Sequence, residues 1–316
     1  MTPRSFPLWL ALVLALLCGA LVALQSRING ELGSRLGDGF TAAAISFGSG
    51  LVILTIALAI VPAGRRGLAR VREALRGRGL RWWYVLGGAA GSFLVLSQGL
   101  TAAALGVALF TVAVVAGQTI SGLVLDRVGL GPGGRRPLTA ARLVGALLAL
   151  VAVTWAVSAQ FGGSAPVWMM VLPFIAGLGT GWQQAVNGQV RVVAESALTA
   201  TFINFAVGTS VLVVLMLGHW ALAGLPARLP TEPWLYVGGA IGCIFIGVTA
   251  FLVRITGVLL LGLATVAGQL ASALLLDLLL PTAGHTLAFS TIGGTLLAIV
   301  AVAIASIRWG WRRQSA

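Results

Sequence analysis

Residues 25–33 read QSRINGELG, and residues 183–190 read QQAVNGQV. In both stretches a glutamine precedes an asparagine by four residues, and a glycine follows that asparagine directly. Each stretch also closes a long apolar run, so the same pair of amide side chains appears twice where a membrane span should be finishing. This recurrence predicts an internal repeat, and the repeat organises the rest of the chain.

The composition is that of an integral membrane protein. The chain is 59% hydrophobic and 9% charged, with a mean hydropathy of +1.02, whereas about a quarter of the residues in a soluble domain are charged. Ten apolar runs are long enough to cross a bilayer as helices. These predicted spans are 7–31, 39–61, 82–101, 105–125, 141–160, 166–188, 198–220, 233–253, 257–280 and 286–307.

The arginines predict the orientation of these spans. The formal net charge is +13, and the basic residues are arginines in short segments between apolar runs. Because such residues concentrate on the cytoplasmic side, we place the N-terminus inside. Seventeen of the twenty arginines then face the cytoplasm, and both termini are predicted to be cytoplasmic. Arginines placed in this way do not form the basic face of a nucleic-acid-binding domain.

The repeat covers the whole chain. A shift of 158 lays residues 19–50 on 177–208, and a shift of 151 lays residues 106–126 on 257–277. The chain therefore consists of two five-helix units, residues 1–160 and 161–316. Since five is odd, the second unit enters the membrane from the opposite face, and the two units are inverted repeats. This 5+5 arrangement is typical of secondary transporters.

The repeated motifs resemble those of one known family. They are Q-x-x-x-N-G in the first span, T-A-x-x-x-[SN]-F in the second, and G-Q-x-x-[SA]-x-x-x-x-D in the fourth. The chain resembles the YdcZ-type inner-membrane exporters of the drug/metabolite transporter (DMT) superfamily, with two five-helix halves fused. The resemblance implies an all-α, DMT-like fold of ten helices around a central cavity. It also implies a multi-pass protein of the bacterial inner membrane.

Polar residues inside the spans are the candidates for lining a substrate cavity. Gln118 and Gln269, with Ser121 and Ser272 one turn on, lie in mid-span, where a buried amide is costly. The repeated amides of the first and sixth spans lie nearer the span ends, and they serve equally well as hydrogen-bonded contacts between helices. Together the candidates are Gln25, Asn29, Gln118, Ser121, Gln183, Asn187, Asn204, Gln269 and Ser272. A helix break at Gly30 would free backbone groups for a solute, or Gly30 simply ends the span.

The acidic residues are candidates for gating or for a proton site. Asp126 and Asp277 occupy equivalent positions at the ends of the fourth and ninth spans. Pairing with Arg127 or with loop arginines is the simpler interpretation of Asp126, whereas Asp277 has no arginine next to it in sequence. Glu31 is the third candidate, and its spacing predicts a pair with Arg27.

Two classes of function remain open. The first is a secondary transporter, an exporter of a small metabolite or drug-like compound, which works by alternating access between inverted halves. The alternative is a non-transporting assembly or regulatory subunit of the membrane. We predict no enzyme activity, no metal and no cofactor, because no catalytic pair or ligand spacing stands out. The arginine-rich segment 65–81 is expected to lie on anionic headgroups, and a homodimer is left open.

Overall fold

The computed structural model describes residues 6–156, 158, 167–226, 229–279 and 289–307. This part of the chain is almost entirely helical and contains no strand. The helices are α1 (Leu8–Leu36), α2 (Gly39–Ile60), α3 (Pro62–Arg76), α4 (Gly87–Val128), α5 (Ala140–Ala156), α6 (Val171–Ala194), α7 (Ala197–Ala223), α8 (Gly238–Thr256), α9 (Val258–Leu279) and α10 (Phe289–Ser306). Short 3-10 turns lead into α4, α6 and α8 at Trp82–Leu86, Val167–Met170 and Pro233–Tyr236.

Most of these helices have the composition of membrane spans. Within the described residues, five segments are long and apolar enough to cross a bilayer: Leu8–Leu36, Gly39–Ile60, Thr111–Val128, Ala197–Ala223 and Pro233–Thr256. Four apolar helical segments are shorter: Trp82–Ser97, Ala140–Ala156, Val258–Ser272 and Ile292–Ser306. Large apolar side chains are exposed along many of these helices. An all-helical chain with these surfaces is suited to lipid rather than to water.

The helix α6 differs from the others in its polarity. It is as long as a span but is absent from both of those groups, and it carries Thr180, Gln183, Gln184 and Asn187. Twelve of its residues are buried, the three amides among them. A helix this polar is unfavourable in lipid, so its neighbours must cover it with protein. In agreement, α6 contacts α4, α7, α8, α9 and α3.

The helix α1 corrects the predicted first span. It runs without interruption through Gly30 and ends at Leu36, where Gly37 adopts the left-handed conformation with φ of 62°. Gly30 therefore neither breaks nor ends the helix, and Asn29 lies about two turns before its end. The sequence prediction failed because glycine in a helix interior costs only about 1 kcal/mol, whereas a positive φ at Gly37 does end it.

The helix α4 covers two of the predicted spans. Residues 82–101 and 105–125 were expected to be two separate spans, and the structure is helical without a break from residue 87 to 128. This helix cannot be straight. Gly91 lies against Gln183, and Gly117, 26 residues farther on (117 − 91), lies against Leu178. A straight helix would separate the two glycines by about 39 Å, but their partners on α6 are only about 8 Å apart.

The chain therefore reverses direction within α4, and α6 packs against two antiparallel limbs. We call residues 87–97 the first limb and residues 111–128 the second limb. The first limb runs antiparallel to α6, because Gly87 lies against Asn187 and the later residue Gly91 lies against the earlier residue Gln183. The helices α8 and α9 form a comparable antiparallel pair, and the reversal there is made at Gly257 with φ of 80°.

Helices that are distant in sequence pack together throughout the bundle. The largest contacts join α6 to α4, α10 to α5, α1 to α9, α2 to α7, and α1 to α8. Thus α1 lies against the pair α8 and α9, much as α6 lies against the two limbs of α4. Small residues bring α5 and α10 together: Gly145 lies against Ala301 and Ala305, and Gly294 against Ala152 and Ala156.

The arginine-rich segment forms the amphipathic helix α3. One of its faces is buried, at Gly64, Gly67 and Val71. The Thr199 hydroxyl at the start of α7 donates a hydrogen bond to the Gly64 carbonyl over 2.8 Å. Arg70 donates to the carbonyl of Ala194, the last residue of α6, over 3.1 Å. The helix is therefore docked at the junction of α6 and α7, with its arginines exposed.

Candidate functional site

The amides of α6 and α7 form a buried chain of hydrogen bonds. The Gln183 amide nitrogen donates to Asn204 Oδ1 over 3.4 Å, and the Asn204 nitrogen donates to Asn187 Oδ1 over 3.1 Å. All three side chains are buried. The repeated amides of the sixth span are thus joined through Asn204, which makes them a contact between two helices.

Glycines of the first limb of α4 cover this amide chain. A Cβ on Gly87 would lie 2.5 Å from Asn187 Oδ1, and a Cβ on Gly91 would lie 2.8 Å from the Gln183 amide nitrogen. At Gly88 a Cβ would overlap the backbone of Asn204. These glycines form a close-packing surface, because a larger residue does not fit between the limb and the amides.

The corresponding groups of α1 and α2 are arranged in the same way but are less fully bonded. Gln25 donates to the Gly238 carbonyl of α8 over 2.9 Å, and Gly238 packs against both Asn29 and Ser46. Ser46 stands where α7 has Asn204, and its side chain is too short to bridge Gln25 and Asn29. As a result, Asn29 Oδ1 and Ser46 Oγ have no hydrogen-bond partner among the described residues.

Gln118 lies at a different place, between the second limb of α4 and α9. Its side chain is only 8% exposed and lines a narrow crevice together with Thr119, Leu259 and Leu263. Its amide nitrogen packs against Gly262. One turn on, Ser121 donates to the Leu178 carbonyl of α6 over 2.8 Å, which ties the limb to α6.

The equivalent residues of α9 are less enclosed. Gln269 and Ser272 are only partly buried, and the backbone of Gln269 packs against Gly19 of α1. The structure therefore does not bring Gln269 to the crevice that Gln118 lines. The backbone of Asp277 belongs to α9, but its side chain lies outside the described residues.

Asp126 is built into the turn between α8 and α9. Its side chain is 2% exposed and accepts hydrogen bonds from the backbone N–H groups of Val258 over 2.8 Å and Leu259 over 3.2 Å. It also forms a buried ion pair with Arg142. The carboxylate thus caps the N-terminus of α9 and is paired with an arginine in the first turn of α5.

Arg136 completes the same turn from the other side. Its guanidinium donates to the carbonyls of Arg254 over 3.1 Å and Ile255 over 2.8 Å, which belong to the last turn of α8. Between the two caps, Gly257 leaves no room for a side chain, because a Cβ there would lie 2.7 Å from both Arg136 and Asp126. The loop before α5 thereby holds α8 and α9 in their antiparallel arrangement.

Glu31 corrects a predicted ion pair. Its carboxylate pairs with Arg35 over 2.7 Å, one turn toward the end of α1, and not with Arg27. Arg35 also pairs with Glu232. These side chains are more than a third exposed, so the group is a surface contact between the end of α1 and the segment before α8. The spacing of four residues fits either arginine, and only the fold brings Glu232 to Arg35.

A polar cluster around Asp38 was missed by the sequence analysis. Asp38 caps the start of α2 and accepts a hydrogen bond from the Trp220 indole over 3.3 Å, while His219 lies 3.7 Å away. Burial alone would raise the pKa of the Asp38 carboxyl. Hydrogen bonds from the Thr41 hydroxyl and from the backbone of Thr41 and Phe40, with the nearby His219, hold that pKa below its ordinary value.

Two further polar groups were also missed. Gln184 is 4% exposed, and neither its amide oxygen nor its amide nitrogen has a partner among the described residues. Arg191, two turns on, has a buried Nε that is likewise unpartnered. A search for repeated residues passes over both, because the position equivalent to Gln184 is Ser26. Within the described part of the chain, no group of His, Cys, Asp and Glu gathers to hold a metal.

Comparison with known proteins gives the family. A family model described as "Putative inner membrane exporter, YdcZ" matches residues 10–155 and also residues 168–304. The chain belongs to this YdcZ family. The two matched segments cover most of the chain, and each contains one copy of the repeated motifs. This YdcZ-family protein is therefore a multi-pass protein of the inner membrane.

Solved structures agree on the fold. One, titled only "Crystal structure of protein", superposes with a TM-score of 0.61 at 20% sequence identity. The match covers 94% of the YdcZ-family chain and 95% of the other. At this identity the likeness shows a shared fold over the full length. No curated protein matches the chain.

Proposed function

We propose that this YdcZ-family chain is a secondary transporter that exports a small metabolite or drug-like compound. In this proposal its ten spans form a 5+5 inverted repeat with both termini in the cytoplasm. The two halves are residues 1–160 and 161–316, and they open one path alternately to each side of the membrane. The family to which the chain belongs supports transport in general.

The observation that carries the proposal is a matched pair of interfaces between the halves. On one side, α6 lies against both limbs of α4, and on the other, α1 lies against α8 and α9. Corresponding glycines make the two contacts, since Gly117 of α4 packs on the backbone of Phe174 in α6 and Gly268 of α9 packs on that of Leu16 in α1. Two equivalent interfaces can exchange conformations, so that one opens while the other closes.

The proposed path passes between these interfaces. In this conformation the crevice beside Gln118 is too narrow to admit a water-sized sphere, so the path is closed there. The Asp126 and Arg136 caps hold α8 and α9 as one unit. We therefore assign the movement to sliding of α6 and α1 over their glycine-lined contacts, which present few side chains to interlock. Asp126 then serves as a structural group rather than as a gate.

The membrane surface is the second proposed partner. The arginines of α3 are exposed while its small residues face α6 and α7. We place this outer face on anionic headgroups at the cytoplasmic side, where each arginine near the surface gains roughly 1 kcal/mol. Docking on Ala194 and Thr199 would link the headgroup layer to the junction of α6 and α7.

Comparative metabolite analysis tests the exporter proposal. Spent medium and cells are compared for strains that express the wild type, Gln118→Ala, Thr154→Ala or no transporter. Thr154 is the control, because its hydroxyl is exposed and bonds only to its own helix at the Leu150 carbonyl. We expect a compound that accumulates in the medium with the wild type and Thr154→Ala but not with an equally abundant Gln118→Ala.

The other outcomes are equally informative. A compound exported by all three proteins would keep the transporter and remove Gln118 from the path. If no compound differs between the wild type and the empty strain across growth conditions, the exporter proposal fails. A search for a protein partner would then be the next experiment, since an assembly or regulatory subunit is the alternative.

A further inference from the structure

Gln184 is a buried amide that no neighbour satisfies. Its side chain is 4% exposed, and both its oxygen and its nitrogen are buried without a hydrogen-bond partner in the described part of the chain. The adjacent Gln183 is equally enclosed but bonds to Asn204. Burying an amide without partners is strongly unfavourable. A side chain of this kind is retained when another conformation, or a ligand, supplies what is missing.

The position of Gln184 on α6 places it at the turn between α8 and α9. Gly181, three residues before it, packs against Val258, the first residue of α9. Gly188, four residues after it, packs against Val253 near the end of α8. Residues at this spacing share one side of a helix. Gln184 therefore lies on the side of α6 that moves over the capped turn in the proposed mechanism.

Arg191 continues the same side of α6 toward its end. It follows Gln184 by seven residues, which is two turns or about 10 Å along the helix. Its guanidinium carbon lies 4.7 Å from the centre of the Phe251 ring of α8, and its Nε is buried without a partner. The aromatic ring holds the cation at the interface between α6 and α8 but leaves its hydrogen-bond donors free.

The charge around Arg191 is uncompensated. Arg254, near the end of α8, is close enough to repel it, and Arg136 reaches the carbonyl of Arg254. Among the acids that the structure describes, none forms an ion pair with Arg191 or Arg254, whereas Arg142 is neutralised by Asp126. Two guanidinium groups without an acid, two helical turns from an unpartnered amide on the same side of α6, form a site for a small anion.

We propose that the substrate is a small organic anion that passes along this side of α6, and this inference rests on the exporter function proposed above. Arg191, with Arg254, binds a carboxylate at the mouth of the path. Gln184 is the next binding group along the path. Its amide donates to the carboxylate when α6 slides away from the turn between α8 and α9. Both residues are substrate-binding groups, and the sequence repeat does not reveal them.

Thermal unfolding of the purified full-length protein in nanodiscs tests the binding step separately from transport. The probes are succinate and citrate, with succinamide as the uncharged counterpart and spermidine as the cationic one. We expect the two carboxylates to raise the melting temperature of the wild type, and the counterparts to leave it unchanged. Arg191→Gln should weaken the apparent affinity by roughly tenfold or more, as expected for the loss of a charge-assisted hydrogen bond, and Arg191→Lys should weaken it less.

Gln184→Leu separates a binding role from a structural one. Because the Gln184 amide makes no hydrogen bond, its replacement by leucine should leave the melting temperature without ligand equal or higher, while the response to carboxylates and the export of anions are lost. Gln183→Leu is the matched control, and it should lower the melting temperature because it leaves the buried Oδ1 of Asn204 without its donor. If Gln184→Leu lowers the melting temperature and leaves the response to carboxylates unchanged, the amide bonds to a buried structural water and the proposal is overturned.

The lipid composition of the nanodiscs distinguishes the source of the anion. The carboxylate response should be present in purely zwitterionic phosphatidylcholine. If only phosphatidylglycerol stabilises the wild type, and Arg191→Gln abolishes that effect, the arginines bind headgroups and the substrate proposal is wrong. Export of cations or neutral compounds without any carboxylate response would leave the exporter intact and refute this inference. Carboxylate binding without flux in cells would keep the anion-binding site but refute the exporter function, and with it the role of the anion as a substrate.

Discussion

At the scale of the residue, the same chemical group has different roles in different surroundings. Gln183 and Gln184 are neighbours in sequence, yet one is bonded to Asn204 and the other has no partner. Asp126 lies at the end of a predicted span, where an acid suggests a gate. The contacts with Val258 and Leu259 make it a helix cap instead. The difference lies in the partners, and these come from distant parts of the chain.

Asp126→Ala should destabilise the protein strongly. The substitution removes two hydrogen bonds to the start of α9 and leaves the buried guanidinium of Arg142 without its carboxylate. Breaking a buried pair on one side costs about 3–5 kcal/mol, so the melting temperature in detergent should fall by many degrees. Glu31→Gln is the control, because exposed pairs contribute about 0–1 kcal/mol. Equal melting temperatures for the two variants would contradict the role given to Asp126.

At the scale of the element, glycines decide how closely the helices pack and where they end. Glycines on α4 allow the first limb to touch the backbone of α7 and the amides of α6. Gly37 ends α1, and Gly257 reverses the chain between α8 and α9, both with positive φ. The conformation at Gly257, with φ of 80° and ψ of 174°, belongs to a region that only glycine occupies readily. The helix lengths alone would not have predicted these close approaches.

Gly88→Ala and Gly218→Ala should change stability in opposite directions. Both glycines lie in helices, but a Cβ at Gly88 would overlap the backbone of Asn204 and of Gly208, whereas Gly218 has nothing within 4 Å. Alanine at residue 218 should stabilise α7 by about 0.5–1 kcal/mol through its higher helix propensity. Alanine at residue 88 should force the first limb away from α7. Melting temperatures of the two purified variants measure the difference, and the same sign for both would refute the close contact.

At the scale of the whole molecule, each half of the chain depends on the other. The principal partners of α1 are α8 and α9, and those of α6 are the two limbs of α4. The outermost pair, α5 and α10, also joins the two halves. A single half therefore leaves its glycine faces and amides uncovered in the membrane. The family model, which matches once in each half, fits a unit that is completed by a second copy.

Residues 1–160 and 161–316, expressed as separate chains, should assemble with each other. Each half alone should be unstable, because its buried polar groups lose the partners that cover them. Co-expression should restore the stability of both halves. When one half carries an affinity tag, the other half should copurify with it in equal amounts. A first half that carries Gly88→Leu is the control and should fail to copurify. Two halves that are each stable and do not associate would refute this dependence.

The sequence by itself determined the class of protein, the family and most of the helices. Apolar length, arginine placement and repeated motifs are local properties, and the energetics of lipid insertion depend on them directly. The use of the repeated amides as hydrogen-bonded contacts between helices could also be predicted, as one of two alternatives. The extension of α1 to Leu36 could not, since a single glycine such as Gly30 is tolerated within a helix.

Only the tertiary structure decided which polar groups are satisfied. The hydrogen bonds of Asp126 join residues more than a hundred positions apart, and Arg35 finds Glu232 in the other half. No periodicity encodes such pairs, because they depend on how whole helices cross. For the same reason, the repeated amides Gln183 and Asn187 are bonded through Asn204, whereas Asn29, the counterpart of Asn187, and the unrepeated Gln184 both have amide atoms without a partner among the described residues. Whether a buried amide is satisfied depends on which helix crosses it, and this is a property of the fold rather than of the repeat.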